Sequence, residues 1–352
     1  MRVSRLLSVL FVALGALALT PSCSPSGFQD PSSINSVRIL ASSADQPYAK
    51  PGATVNLTVL AYDGRTNPPE PMKIYWLPFV CKDPPDDAYY ACFAQIAAGA
   101  FGGGTAGGDA GSGAPSGALG PHTDLTPFLQ QGPQFRFTMP SDAITSHAAT
   151  PGTTPYGLAV VFNVACAGHL ELLPIDPNDS NPQALPIGCF DASEEQLGPS
   201  DYVFGFTRVY AYEALTDANP VIDHVDVNGQ TYPVMPAPDG QLTTMPVPMS
   251  SCTNGCPIGP VVPASSQEPN PLETDVNGNP GREEIWVDYY TTVGSVNDTA
   301  LLYDPTTGLV GDPSTTDGKF APPTPPASGT FWAVVHDDRG GTSWVTVPLS
   351  VP

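Results

Sequence analysis

Hydrophobic and polar residues alternate with a period of two in many short stretches of the chain. In residues 54–62, Val55, Leu57 and Val59 occupy every second position, which is the spacing of a strand with one buried face. Related patterns predict further strands at residues 35–40, 73–79, 134–139, 156–165, 201–214, 221–229, 283–293 and 299–303, and a closing hairpin at 330–351. The chain is therefore predicted to consist mainly of short strands.

Few stretches show a helical period, and the composition explains why. The 43 prolines and 34 glycines interrupt helices and suit the turns between short strands. Many short strands with turns at fairly regular intervals favour β-sandwiches, so we predict an all-β protein. The polar segment 215–220 is followed by a new strand pattern at residue 221, which predicts a domain boundary there.

A glycine-rich segment, residues 97–120, separates the third and fourth predicted strands. Glycine-rich loops can bind phosphate, but this one has no lysine, no Gly-Lys-Ser/Thr ending and no clear helix after it. We therefore interpret the segment as a flexible insertion.

The N-terminal residues have the features of an export signal. Arg2 and Arg5 precede an apolar run from residue 6 to residue 19, which has the length of a signal-peptide core and falls short of the roughly 20 residues of a membrane span. Residues 1–22 are predicted to be this signal, and residues 23–33 a polar tether. No other segment is predicted to span a membrane.

Acidic residues greatly outnumber basic ones. The chain holds 34 Asp and Glu against 12 Lys and Arg, a net charge of −22, and removal of Arg2 and Arg5 with the signal leaves about −24. The other basic residues are scattered, so we expect no nucleic-acid partner. Hydrophobic residues make up 41% and charged ones 13%, which argues against a chain that is disordered throughout.

Seven cysteines are an odd number for an exported chain. Six of them form close couples: Cys81 with Cys92, Cys166 with Cys189, and Cys252 with Cys256. Six cysteines permit fifteen pairings, and local disulfide bonds are the simplest choice in an oxidising compartment. Cys252 and Cys256 have no second Cys or His pair nearby, which argues against zinc at this spacing. Cys23 is the cysteine left over.

Residues 20–23, Thr-Pro-Ser-Cys, resemble the lipobox of bacterial lipoproteins. Ser22 fits the family pattern, whereas Thr20 stands where leucine is usual and Pro21 is atypical, so cleavage by the ordinary signal peptidase is the alternative. The resemblance implies that Cys23 carries a diacylglyceryl group and an N-linked acyl chain such as palmitate. Two or more such chains anchor a protein stably in a bilayer. Ser24, in place of the Asp of inner-membrane retention, implies the outer membrane of a Gram-negative bacterium.

Two other segments also resemble known bacterial proteins. Residues 329–351, which begin Gly-Thr-Phe-Trp-Ala-Val-Val-His-Asp-Asp-Arg-Gly-Gly, resemble the last two strands of immunoglobulin-like or PKD-like sandwiches on bacterial surfaces. Residues 67–93 resemble a block of uncharacterised lipoproteins with this architecture. The resemblance implies two immunoglobulin-like β-sandwich domains in tandem, at 34–214 with long loop insertions and at 219–352. It implies no substrate and no catalytic residues.

Candidate catalytic side chains form no recognised motif. The histidines are His122, His147, His169, His224 and His336. None belongs to a His-Glu-x-x-His pair, no two lie within four positions of each other, and the chain has no Gly-x-Ser-x-Gly elbow. We therefore predict that the protein is not an enzyme.

One polar segment partly matches a calcium-binding loop. Asp275, Asn277 and Asn279 occupy alternate positions, as the first ligands of an EF-hand do, and Glu283 supplies a further carboxylate. Pro280 stands where an EF-hand needs glycine, and a turn before a strand accounts for the same composition. A turn is the leading interpretation, calcium binding is the alternative, and no other cofactor is predicted.

These features together predict a non-enzymatic cell-surface lipoprotein that acts as a structural or binding module. Aromatic residues can stack on sugars, although aromatics in strands are more often part of a core. The candidates are Trp76, Tyr89, Tyr90, Tyr210, Tyr212, Tyr289 and Tyr290. A carbohydrate- or calcium-dependent adhesion module is therefore the alternative. The bilayer, reached through Cys23, is the one predicted partner, and a protein or glycan partner is left open.

Overall fold

Strands account for nearly all of the regular structure. A computed structural model describes residues 31–93, 120–174, 185–237, 240–250, 252, 255–274, 278–297, 299–310 and 318–351, which all lie in one compact unit, residues 31–352. The predicted signal, the lipobox cysteine Cys23 and nearly all of the glycine-rich segment 97–120 lie outside the described residues. Within the described part, no helix is long and apolar enough to cross a membrane.

The first ten strands belong to residues 31–214, which we call the N-terminal half. They are β1 (Val37–Ala44), β2 (Tyr48–Ala49), β3 (Thr54–Asp63), β4 (Lys73–Lys82), β5 (Gln130–Gln131), β6 (Gln134–Thr138), β7 (Gly157–Cys166), β8 (His169–Leu172), β9 (Ile187–Phe190) and β10 (Tyr202–Ala211). Helical turns are short here: α1 (Ala143–Ser146) and 3-10 turns at Pro85–Asp87 and Thr126–Phe128.

Residues 219–351, which we call the C-terminal half, add fourteen strands and one 3-10 turn, Ala264–Ser266. The strands are β11 (His224–Val227), β12 (Gln230–Pro233), β13 (Met235–Pro236), β14 (Leu242–Thr243), β15 (Val247–Pro248), β16 (Cys256–Val261), β17 (Pro269–Thr274), β18 (Pro280–Arg282), β19 (Ile285–Thr291), β20 (Thr299–Asp304), β21 (Gly308–Leu309), β22 (Gly318–Phe320), β23 (Ala327–Asp337) and β24 (Thr342–Val351).

Four main sheets contain most of these strands. Sheet I has the order β1-β3-β6, and sheet II the order β2-β10-β7-β4-β5. Sheet III has the order β12-β11-β16-β22, and sheet IV the order β13-β14-β24-β23-β19-β20-β21, with β15 also paired to β24. The hairpins β8-β9 and β17-β18 stand apart. The all-β prediction is confirmed. The sequence patterns do not predict most strands of six residues or fewer, such as β8, β9 and β16, because a short run shows too little of a period.

Sheets I and II face each other across an apolar core. Val55, Leu57 and Val59, which the alternation in β3 placed on one face, are all buried here. Trp76 of β4 stacks on Phe135 of β6 with ring centroids 5.1 Å apart. The N-terminal half is therefore held by two sheets packed face to face.

A second core covers the outer face of sheet II. All ten residues of β7 are buried, because sheet I covers one side of this strand and the β8-β9 hairpin and neighbouring loops cover the other. The disulfide bonds Cys81–Cys92 and Cys166–Cys189 lie in this second core. Together with Cys252–Cys256, they confirm the predicted local pairing.

Sheets III and IV enclose the core of the C-terminal half. Val345, Val347, Leu349 and Val351 of β24 point into it, as the alternation predicted. On the opposite face of β24, Thr346 is half-buried and Ser350 is exposed. Trp344 on that face is nevertheless buried, because sheet IV lies against sheet I.

The contact between sheets I and IV joins the two halves of the molecule. Leu60 of β3 lies in one apolar cluster with Trp332 and Val334 of β23 and with Trp344. Tyr62 meets Trp332 edge to face, with centroids 4.9 Å apart. Sheet I is thus covered on both faces, by sheet II on one side and by sheet IV on the other.

Candidate binding groove and the buried charge cluster beside it

A polar groove opens where sheets I and IV separate. Its cavity volume is about 320 Å³. One wall comes from sheet I through Ser43, Asn56, Thr58 and Gln134, and the other comes from the β14 and β24 region through Gln241, Thr342, Ser343 and Trp344. Of the described residues that line it, Asp45 alone is charged. The groove therefore presents mainly uncharged hydrogen-bonding groups.

The alternation in β3 explains why the groove begins where it does. Leu60 and Tyr62 lie on the face of β3 that packs against sheet IV. Thr58 and Asn56 are the next residues on the same face, and they are polar. Leu60 and Tyr62 pack sheet I against sheet IV, whereas Thr58 and Asn56 face the groove.

Several groove side chains are held in place by hydrogen bonds. Asn56 donates from Nδ2 to Asp45 Oδ2 at 2.6 Å and accepts at Oδ1 from Arg136 Nε at 3.0 Å. On the opposite wall, Trp344 Nε1 donates to Gln241 Oε1 at 3.0 Å. These hydrogen bonds restrict the side chains of both walls, which lowers the entropy that binding would cost.

Asn219 connects the two walls at the backbone level. Its Nδ2 donates to the Ala44 carbonyl at 2.8 Å, and its Oδ1 accepts from the Thr342 amide at 2.8 Å. Ala44 ends β1 and Thr342 begins β24. One side chain from the segment between the halves therefore fixes the spacing of the groove walls.

Close to Asn219, Arg339 occupies the centre of a buried charge cluster. Its Nη2 lies 2.7 Å from Asp217 Oδ1, and its Nη1 lies 3.1 Å from Glu283 Oε1. The guanidinium also lies 4.9 Å from the ring of Tyr48 in β2. It donates to the carbonyls of Thr216 and Pro269. Arg339 thereby joins both halves and the segment between them.

The hairpin turn between β23 and β24 presents this arginine. Asp337 Oδ1 accepts from the amides of Arg339 at 2.9 Å and Gly341 at 2.7 Å. A Cβ at position 341 would lie 2.0 Å from Asp337 Oδ2, so the turn requires glycine there. The Asp-Arg-Gly-Gly sequence of residues 338–341 thus forms the hairpin turn and also supports the charge cluster.

The cluster contains more carboxylates than one arginine can neutralise. Burial is the largest effect and raises the pKa of Asp217, and the nearby Asp337 adds to this despite the opposing Arg339. Burial likewise raises the pKa of Glu283, partly offset by the Glu268 amide. The pKa of Asp337 is raised by burial as well. The cluster therefore holds protons that isolated carboxyl groups would lose.

The residues of the calcium alternative are only partly described. Asp275 and Asn277 lie outside the described residues, and Asn279 is exposed. Glu283 is buried, with Oε1 facing Arg339 and Oε2 accepting from the Glu268 amide at 2.9 Å. Calcium binding by this segment stays a prediction, and loss of calcium-dependent thermal stabilisation in Asp275→Ala is its test.

The aromatic residues considered for glycan stacking are mostly part of the core. Trp76 and Tyr289 are 0% exposed, and Tyr212 is also buried. Tyr90 is the most exposed of those considered, at 46%. The glycan alternative therefore depends on the groove, which sequence reasoning missed because its walls come from strands far apart in the chain.

The histidines are distributed over both halves, and two of them share a partner. His122 and His169 both contact Glu171 of β8, at 3.3 and 3.2 Å. Because these residues are far apart in sequence, no motif predicted their shared contact.

The chain matches no protein-family model and none of the curated proteins.

Proposed function

We propose that the protein is a non-enzymatic, exported lipoprotein that acts as a binding module. In this proposal the two sheet pairs are immunoglobulin-like β-sandwiches in tandem, and Cys23 carries the acyl chains that hold them at the outer membrane. The face-to-face packing of sheets I with II and III with IV supports the sandwich assignment. The lipobox resemblance and the three disulfide bonds support export.

The observation that carries the binding role is the polar groove between the two halves. Amide and hydroxyl groups such as Asn56, Thr58 and Gln134 recognise hydroxyl-rich ligands, because each both donates and accepts hydrogen bonds. The near absence of charge in the groove disfavours phosphate and carboxylate ligands. We therefore infer a neutral glycan as the ligand class, in preference to a spacer without a ligand.

An array of neutral bacterial polysaccharides, probed with the mature chain, tests the ligand class. We expect binding to at least one glycan and at least tenfold weaker binding in Gln134→Ala and Ser343→Ala. These side chains line the groove from opposite walls. Gln230→Ala, an exposed change on β12 of sheet III, is the matched control and should bind like the wild type.

Failure to bind any glycan would contradict the groove assignment and favour a structural spacer. Equal losses in all three variants would also contradict it. Intact-mass measurement of the native protein tests the anchor separately, since acyl mass on a new N-terminal Cys23 is expected. A chain that begins elsewhere and carries no acyl mass would overturn the lipoprotein assignment.

A further inference from the structure

Four side chains that can bind metals meet on the hairpin covering sheet II. His169 and Glu171 lie two positions apart on β8 and therefore on the same face. Glu194 comes from the turn after β9, and His122 comes from the segment beside β8. His122 and Glu194 are 72 positions apart in the sequence, so no local motif revealed these residues together.

The backbone around the cluster is firmly held. His122 donates its amide to the Leu172 carbonyl at 2.8 Å, and Leu125 donates to Leu170 at 2.7 Å, so this segment runs along β8. The Cys166–Cys189 disulfide joins β7 to β9 next to the same hairpin. The cluster is thus supported by a covalent bond and by an added strand-like segment.

Two of the four residues adopt a backbone conformation that is uncommon outside glycine. His122 has φ of 60° and Glu194 has φ of 63°, in the left-handed region. Asp191 stabilises the turn that carries Glu194, because its Oδ1 accepts from the amides of Ser193 and Glu195. Such conformations persist where surrounding structure holds them and are common at functional sites.

The distances between the donor atoms match a metal coordination sphere. His169 Nε2 lies 3.2 Å from Glu171 Oε1 and 3.6 Å from Glu194 Oε2. All three ligand atoms lie within 4.8 Å of one another. A tetrahedral Zn²⁺ with bonds of about 2.0–2.1 Å requires ligand atoms about 3.3–3.4 Å apart. A modest adjustment of the exposed Glu194 would complete this geometry.

Burial and charge within the cluster favour a cation. The Glu171 side chain is 6% exposed, and its two oxygens face two different imidazoles. Glu194 is 71% exposed, which leaves a path for an ion and a position for water.

We propose that His169 Nε2, Glu171 Oε1 and Glu194 Oε2 bind a divalent first-row transition metal, with Zn²⁺ the best match. Imidazole nitrogen favours Zn²⁺ over Ca²⁺ and Mg²⁺, which take oxygen ligands. His122, 3.3 Å from Glu171 Oε2, orients the carboxylate from its other side. This is the role that outer-shell partners have in protein metal sites.

Zn²⁺ titration of the chelator-treated full chain, with a chromophoric competitor for affinity and elemental analysis for stoichiometry, tests this site. We expect one Zn²⁺ per chain. His169→Ala should weaken binding at least 100-fold, and His122→Ala by about 10- to 100-fold. His336→Ala is the matched control, since His336 is 21% exposed against 22% for His169 and faces a carboxylate, that of Asp288, outside the cluster. Its affinity should equal that of the wild type.

Glu194→Gln separates a metal site from a network of hydrogen bonds. The residue is exposed, so the substitution leaves the fold intact, and the amide retains hydrogen bonding but loses the anionic ligand. We expect at least tenfold weaker Zn²⁺ binding at an unchanged melting temperature of the metal-free protein. A wild-type chain that binds no Zn²⁺, or equal affinity in the His169→Ala, Glu194→Gln and His336→Ala variants, would overturn the proposal.

Discussion

Arg339 and Asp217 make a buried contact that links the β23-β24 hairpin to the segment between the two halves. Their nearest atoms are 2.7 Å apart, and the side chains are 3% and 0% exposed. Removing the cation from a buried cluster of carboxyl groups leaves uncompensated negative charge, whereas replacing one of those carboxyl groups by an amide does not. The two partners should therefore respond differently to substitution.

Arg339→Met should strongly destabilise the protein. The substitution retains the length of the side chain but removes the cation from a cluster with three buried carboxyl groups, and we expect a loss of about 3–5 kcal/mol in the free energy of unfolding. Asp217→Asn should cost less than about 1 kcal/mol, because the raised pKa of Asp217 means that a neutral group already suits this position. Urea unfolding measures both, and equal losses in the two variants would contradict this account.

The position of Asp217 also predicts how stability depends on pH. An unfolded Asp ionises near pH 4, whereas burial raises the pKa of Asp217 in the folded chain. The folded state therefore binds more protons, and this contribution is complete below about pH 4 and is lost as pH rises through the folded pKa. The stability of the wild type relative to Asp217→Asn should thus fall as pH rises from 5 to 7.5.

Urea unfolding of the wild type and of Asp217→Asn from pH 5 to 7.5 measures this difference in stability. Contributions from carboxyl groups that titrate alike in the two proteins cancel in the difference. Asp337→Asn is less suitable as a control because Asp337 accepts two turn amides. Asp142→Asn is preferable, since Asp142 pairs with Lys82 and its pKa is lowered by that contact. Asp142 is ionised in both the folded and the unfolded chain above pH 5, so the difference between the wild type and Asp142→Asn should stay constant over this range.

Local patterns in the sequence predicted the longer strands but could not predict most of the short strands, the groove or the clusters. The alternation of β3 identified Val55 and Leu57 as core residues because a strand face repeats every two positions. Asn219, Arg339 and Glu171 gain their roles from partners more than 40 positions away. Contacts between residues so far apart cannot be predicted from a single sequence. The three disulfide bonds could be predicted, because their cysteines lie close together in the chain.

Asn163 is a polar residue in the middle of the otherwise apolar strand β7. It is 0% exposed, and neither its Oδ1 nor its Nδ2 has a hydrogen-bond partner among the described residues. An unsatisfied buried amide costs about 1–3 kcal/mol. Asn163→Leu, of similar volume, should therefore raise the free energy of unfolding by about 1–2 kcal/mol.

Thermal and urea unfolding measure this gain. Asn270→Leu is the matched control, because Asn270 is also buried at 3% exposure but accepts from the Leu272 amide at 3.1 Å. That variant should be destabilised, since the Leu272 amide loses its partner. If Asn163→Leu is as destabilising as Asn270→Leu, Asn163 has a structural role that its contacts do not account for.

The disulfide bonds should differ in their contribution according to the length of chain that each one closes. Cys166–Cys189 spans 23 positions and Cys252–Cys256 spans 4. The entropy of loop closure gives about 3 kcal/mol for the longer loop and about 2 kcal/mol for the shorter one. The double variant Cys166→Ala/Cys189→Ala should therefore lose more stability than Cys252→Ala/Cys256→Ala. The Cys166→Ala/Cys189→Ala variant should also weaken Zn²⁺ binding, because His169 lies three positions after Cys166. The Cys252→Ala/Cys256→Ala variant should bind Zn²⁺ like the wild type. Unfolding and Zn²⁺ titration of the two variants, side by side, measure both effects, and an unchanged Zn²⁺ affinity in the first would show that the β8-β9 hairpin does not need its disulfide bond to hold the site.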